Sequence, residues 1–274
     1  MKLRASTGSP RADEVIAEVV SAFSGAMPDE VRGFYVAGSY AEGGAVPASD
    51  IDLIAVLQEG ADQELASRVA ETCMKRSPTR LDLVAIKASA LADRFVALVP
   101  SLKGATLLVH GEDMRDELAL PPLGVFAAAW ADRARHFMSR IRRVDTVDAP
   151  LEYPDAAGEF FGYDRATIAE WYPPGTTQST KELVAIVGSA ATALVAIRGN
   201  AYVPSKGRCA SLYAERVGDG WTVLVQEVHD LCRDRLQYRL PSGDADRSRL
   251  RAISSEVLGF ERHALQEFSR PRRS

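Results

Sequence analysis

Cysteine is scarce in this chain, and what there is has no pattern. Cys73, Cys209 and Cys232 are odd in number and far apart. That excludes a disulfide framework and offers no metal-ligand spacing. Each reads as a small buried hydrophobe, in keeping with a reduced, cytoplasmic setting. Long apolar runs are missing too. The nearest, LVAIVGSAATALVAI (183–197), falls short of a membrane span and reads as a buried helix. The N-terminal MKLRASTGSPRA is basic but lacks the apolar stretch of a signal peptide, so no membrane partner is expected. Positive charge is not in excess: 33 Lys and Arg against 37 Asp and Glu leave a formal net charge of −4. Without a basic stripe and interleaved aromatics, the chain does not read as a nucleic-acid binder, a templated polymerase or an RNA-tailing enzyme. The mild acidity suits a small polar or cationic partner better. His110, His136, His229 and His263 show no ligand spacing, and no internal repeat is visible.

What is present is the composition of a globular protein, 46% hydrophobic and 26% charged over 274 residues, enough for one large domain or two modest ones. Residues 1–10 read as a loose leader. Apolar residues then recur with helical period at Val15, Ile16, Val19, Val20 and Phe23. VRGFYVAG (31–38), DIDLIAVL (50–57), RLDLVAIK (80–87) and ATLLVHG (105–111) have the β-branched and aromatic content of strands. ELASRVAETCMKR (64–76) and ASALADRF (88–95, with Ser89 as candidate cap) read as helices between them. Past Pro121-Pro122 helical signals dominate, over 123–144, 179–197 with a kink or break at Gly188, 205–217, 221–238 and 248–268; residues 146–162 read as loop. The expected fold is an α/β N-terminal domain with a small mixed sheet (1–120), followed by an all-α helical-bundle domain (121–274).

The chemistry concentrates in GFYVAGSYAEGGAVPASDIDLIAVL (33–57). Asp50 and Asp52 stand two apart on a predicted strand, so both carboxylates share a face while Ile51 and Leu53 turn into the core. Adjacent carboxylates repel unless solvated or bridged by a hard cation, and Mg²⁺ commonly joins carboxylates to substrate phosphates. Gly38-Ser39 closes the preceding strand, where a glycine admits close backbone approach and a hydroxyl can donate to phosphate. Asp82 sits inside an apolar strand; beside 50–57 it would face the same cleft, as a metal ligand or as the base for an attacking hydroxyl. An Asp-x-Asp pair alone suits any solvated strand end. The succession of strand, Gly-Ser, Gly-rich connection, Ser-Asp-Ile-Asp, helix and strand with Asp is far less ordinary.

In that succession, Gly38, Ser39, Asp50, Asp52 and Asp82 resemble the pattern of the nucleotidyltransferase superfamily that includes DNA polymerase β. The resemblance implies that Asp50 and Asp52 hold metal ions and that Ser39 contacts nucleotide phosphates. GSYAEGGAVPASDIDL, with Gly43-Gly44, and LLVHGED (107–113) look more closely like the streptomycin/spectinomycin adenylyltransferases. RGNAYVPSKGRCASLYAE (198–215) resembles the basic motif of their helical domain, which implies that Lys206 reaches the ATP phosphates. The late acid of those relatives is usually glutamate, where this chain has Asp82. In EWYPPGTTQSTKE (170–182), the resemblance makes Trp171 and Glu182 the acceptor-binding residues, with Lys181 where a further acid is expected.

The expected activity is transfer of AMP from ATP, with Mg²⁺, onto a hydroxyl of a small acceptor of the aminoglycoside type, in a cleft between the two domains. Two alternatives stand beside it: nucleotidylation of a protein or metabolite hydroxyl, and a non-catalytic nucleotide-binding regulatory module. A monomer or weak dimer is expected.

Overall fold

The computed structural model describes residues 2–46, 49–94, 96–147, 150–171 and 174–270; the side chains of 92–94, 169–171, 174 and 175 lie outside that description. The chain divides into two compact units, Met1–Pro121 and Pro122–Ser274. The first is a mixed α/β unit with a small sheet and the second is helical. No helix among the described residues is long and apolar enough to cross a membrane.

In the first unit, α1 (Pro10–Ala26) starts where Ser9 accepts the Ala12 N–H and Pro10 presets the first turn. Its buried stripe is Ala12, Val15, Ile16, Val19, Val20 and Phe23. The segment before it is not a loose leader. The Thr7 N–H and Oγ1 donate to Asp13 at 2.9 and 2.8 Å, and the Arg4 N–H donates to the Val109 carbonyl at 2.8 Å. Polar tethers to backbone and helix, invisible to hydrophobic periodicity, hold it.

Strands β1 (Val31–Ala37), β2 (Ile51–Leu57), β3 (Leu81–Lys87) and β4 (Leu107–Gly111) form one sheet in the order β3-β2-β1-β4. β1 runs antiparallel to both β2 and β4, whereas β2 and β3 are parallel. The parallel pair needs a crossover, supplied by α3 (Gln63–Arg76), whose cap Asp62 accepts from the Glu64 and Leu65 N–H groups. Alternation sorts the strands into two faces. Phe34, Val36, Ile51, Leu53, Leu81 and Leu83 pack with α1 and α3. Tyr35, Ile54, Val56 and Ile86 pack with Leu91 of α4 (Ala88–Arg94) and with Val99 and Leu102 of α5 (Val99–Gly104). Ser89, expected as a cap, lies inside α4; its N–H and Oγ donate to Glu59 at 3.0 and 2.7 Å.

The second unit contains α6 (Leu123–Arg142), α7 (Lys181–Arg198), α8 (Cys209–Arg216), α9 (Thr222–Glu227) and α10 (Asp244–Phe268). α7 is its central helix: Leu183, Ile186, Val187, Ala190, Ala191, Leu194 and Val195 are all buried. No break falls at Gly188. The helix runs on through it, and the Gly188 carbonyl accepts from Thr192 Oγ1 at 2.8 Å. Two features escape helical patterning. One is an antiparallel hairpin, β5 (Ala166–Trp171) and β6 (Pro174–Ser179). The other is a π-helical stretch after α9, Val228–Arg235, where a single longer helix was expected. Deep in this unit Arg142 donates to both Glu261 oxygens, and the Tyr163 hydroxyl donates to Glu261 Oε2 at 2.7 Å. Burial pushes the Glu261 carboxyl above its usual range, against the opposing pull of Arg142.

Candidate active site

The sheet brings the acidic residues to one end and one face. β1 ends at Ala37, where β2 and β3 begin, so Gly38, Asp50, Asp52 and Asp82 gather at that end. In the sheet register Ala37 faces Asp52, and Asp52 faces Asp82 across the parallel pair. Asp82 thus stands directly beside Asp52, on the face that carries Ile54, Val56 and Ile86 farther along. Those apolar residues are buried, but Asp52 is only partly buried and Asp82 is exposed. Two like charges directly opposite on a sheet are unfavourable by themselves. Asp50 lies one residue before β2 begins, on the same face by alternation.

Gly38 has φ +65°, in the left-handed region where a side chain is strained. A methyl group there would fall well inside 3.0 Å of Asp52 Oδ2. The absence of a side chain therefore makes room for the Asp52 carboxylate. The Gly-Ser segment, which opens the stretch read as a Gly-rich connection, is a short helix, α2 (Gly38–Glu42), closed by Gly43 at φ +71°. Ser39 is half-buried in its first turn, where backbone N–H groups have no acceptor within the helix. Such donors, with a hydroxyl among them, suit phosphate oxygens. The Ser39 carbonyl accepts from the Gly44 N–H at 3.0 Å, so the Gly-Gly pair folds back onto the turn.

A residue that the sequence motif does not include completes the group. Arg80 Nε lies 3.2 Å from Asp50 Oδ1. The signal was available: Arg80 is two residues before Asp82, hence on the same strand face.

The donor set is oxygen-only, the preference of a hard divalent cation such as Mg²⁺, and Asp50 already draws a cationic group to one oxygen. The residues fit such an ion. A different group with metal-ligand chemistry, His229, Asp230 and Asp234, lies on the π-helical stretch. There Arg233 donates to Asp234 at 2.7 Å and approaches His229 Nε2 at 3.3 Å, so that cluster contains its own cation.

The expected residues of the second unit are spread along it. Lys206 is exposed at the start of a 3₁₀ turn, Lys206–Arg208, whose cap Ser205 accepts the Arg208 N–H. Glu182 is buried in the first turn of α7, and its carboxylate accepts from Arg140 Nε of α6. Trp171 ends β5, but its side chain lies outside the described residues.

Residues 14–94 match the family model of the nucleotidyltransferase domain, a span from α1 through α4 that includes Gly38, Ser39, Asp50, Asp52, Arg80 and Asp82. The match to that nucleotidyltransferase domain lies wholly within the first unit. No curated protein matches the chain in sequence. Among solved structures, the spectinomycin adenyltransferase AAD(9) from Enterococcus faecialis, with ATP and spectinomycin, is similar in fold. It shares 11% identity, covering 88% of this chain and 98% of that one, with a TM-score of 0.52. The toxin–antitoxin MntA-HpeT also matches, at 16% identity over 46% of this chain and 92% of that one, with a TM-score of 0.30.

Proposed function

We propose that this chain is a nucleotidyltransferase that transfers AMP from ATP to a hydroxyl of a small acceptor of the aminoglycoside type, releasing pyrophosphate. One observation carries the reading: Asp52 and Asp82 face each other across β2 and β3, with Asp50 on the same face and Gly38 making room for Asp52. Three carboxylates gathered at a strand end, beside a turn with phosphate-compatible donors, are what metal-assisted nucleotidyl transfer requires.

Asp50 and Asp52 would hold Mg²⁺, which when bound would neutralise charge on the phosphates. The chain's own groups do the rest. Gly38 fixes where the Asp52 carboxylate can lie. Ser39 and the first-turn N–H groups of α2 orient phosphate oxygens. Asp82, exposed at the rim, accepts the acceptor's hydroxyl proton as that oxygen bonds to the α-phosphorus and the bond to pyrophosphate breaks. If Asp82 serves as a ligand instead, solvent takes the proton. Lys206 is assigned a phosphate-charge role and the second unit the acceptor role, through Trp171 and Glu182. Glu182 already carries Arg140, so an amine on the acceptor would compete with that guanidinium. The choice of ATP and of an antibiotic-like acceptor is supported by the resemblance of the sequence motifs and the likeness in fold to AAD(9).

The test is mass spectrometry of reactions with ATP and Mg²⁺, offering streptomycin, spectinomycin and other aminoglycosides separately. The expected result is a gain of one AMP on an antibiotic, absent without Mg²⁺ and absent with Asp52→Asn protein. Magnesium-dependent ATP binding with no gain on any antibiotic would sink the aminoglycoside assignment and move the acceptor to a protein or metabolite hydroxyl.

A further inference from the structure

We infer that Arg80 is a resident counter-cation of the carboxylate site, a positioning residue paired with Asp50 in the metal-free protein that must yield when a divalent ion enters. The inference rests on the reading of Asp50 as a metal ligand.

The sheet builds this arrangement step by step. Ile51 faces Leu81 in the parallel register, and the Ile51 N–H donates to the Arg80 carbonyl at 2.8 Å. One step outward, Asp50 lies next to Arg80 as Asp52 lies next to Asp82. By alternation, all four side chains share the face opposite Ile51, Leu53, Leu81 and Leu83. Three carboxylates and a guanidinium therefore meet at one strand end, and Arg80 Nε lies 3.2 Å from Asp50 Oδ1, an ion pair by distance without hydrogen-bond geometry.

The two partners differ in a telling way. The Arg80 side chain is 47% exposed and that of Asp50 only 23%. The carboxylate is the fixed member and the long arginine side chain the one able to leave. A pair so near solvent is weak, worth at most about 1 kcal/mol. It lowers the repulsion among the carboxylates without blocking a doubly charged ion. A dication and a guanidinium at the same carboxylate repel each other, so occupancy by one opposes the other. Arg80 thus tunes the metal affinity and offsets part of the Asp50 charge between turnovers.

The test is a Mn²⁺ titration of the full-length, metal-free protein without nucleotide, with free Mn²⁺ followed by electron paramagnetic resonance. Wild type is compared with Arg80→Ala, Arg80→Gln, Arg80→Lys and Asp50→Asn. Removing the charge in the Ala and Gln variants is expected to tighten Mn²⁺ binding about two- to fivefold at low salt, the range a half-exposed pair allows, with Lys in between. In wild type, the Arg80 Nε–H resonance should shift on adding Mg²⁺, with a midpoint matching metal binding. Loss of Mn²⁺ binding in Asp50→Asn, with unchanged or weaker affinity in both Arg80→Ala and Arg80→Gln, overturns the role of Arg80 and leaves the metal site standing. Unchanged affinity in Asp50→Asn removes Asp50 from the metal site, and the inference falls with that reading.

Discussion

Gly38→Ala isolates what the Asp52 carboxylate needs from its surroundings. Two costs arise together. At φ +65° an alanine is strained by roughly 1–2 kcal/mol. Its methyl would also lie well inside 3.0 Å of Asp52 Oδ2 and 3.5 Å from Cγ. Asp52 must therefore turn or retreat, and a displacement of up to about 1 Å at a reacting centre costs about ten- to hundredfold in rate. Gly43→Ala separates the two costs. Gly43 has φ +71°, but nothing lies within 4 Å of the methyl it would acquire. Both variants should lose a similar amount of stability, lowering the melting temperature by about 2–8 °C. Only Gly38→Ala should lose AMP transfer beyond what that instability explains. Rates measured well below both melting temperatures, alongside thermal denaturation, decide the matter. Equal activity in the two variants would refute the idea that Gly38 is there to make room for Asp52.

Other perturbations test the fold around the site. Gly188→Ala in α7, where no atom crowds the added methyl, should stabilise the protein by about 0.5–1 kcal/mol in urea denaturation, because an interior helix glycine costs about that much relative to alanine. Glu261→Ala should cost about 3–5 kcal/mol, since it leaves the Arg142 charge buried without its carboxylate; a loss under about 1 kcal/mol by chemical denaturation would show that the network contributes little. Arg115 donates to Asp113 at 2.8 Å and holds its carboxyl down to about 2. The unfolded chain then binds the proton more readily, so this stability is present above the unfolded pKa and is lost as pH falls toward about 2. Because the pair is partly exposed, the effect is at most about 1 kcal/mol. Asp113→Asn should flatten the stability profile between about pH 4 and pH 2, and an unchanged acid slope would contradict the pairing.

Much of this was legible because it was periodic. α1, α3, α6 and α10 carry apolar stripes long enough for the helical period to show, and the four sheet strands carry β-branched runs. The acidic site was legible too, since alternation alone puts Asp50 with Asp52. The parallel pairing that sets Asp82 beside Asp52 is a long-range fact, stated in the sequence only as a condition. What stayed hidden has local causes. α2 begins at a glycine and buries no residue fully, so nothing in its pattern marks a helix. α5 contains Pro100 and ends at Gly104, which read as turn residues. β6 is Pro-Gly-Thr-Thr-Gln-Ser, without an apolar face. The π-helical stretch spans only 8 residues, too few to separate its period from that of an α-helix. The ties Arg140–Glu182 and Arg80–Asp50 join residues far apart in the chain, and charged residues in a sequence do not announce their partners.

The most direct test of nucleotidyl transfer follows the label. The protein is incubated with Mg²⁺, the panel of aminoglycosides and ATP labelled with ³²P at either the α or the γ phosphorus. If Asp50, Asp52 and Asp82 carry the proposed reaction, α label moves onto an acceptor, γ label leaves entirely as pyrophosphate, and Asp52→Asn abolishes both. Transfer of γ label to the acceptor, or α transfer undiminished in Asp52→Asn, would contradict it.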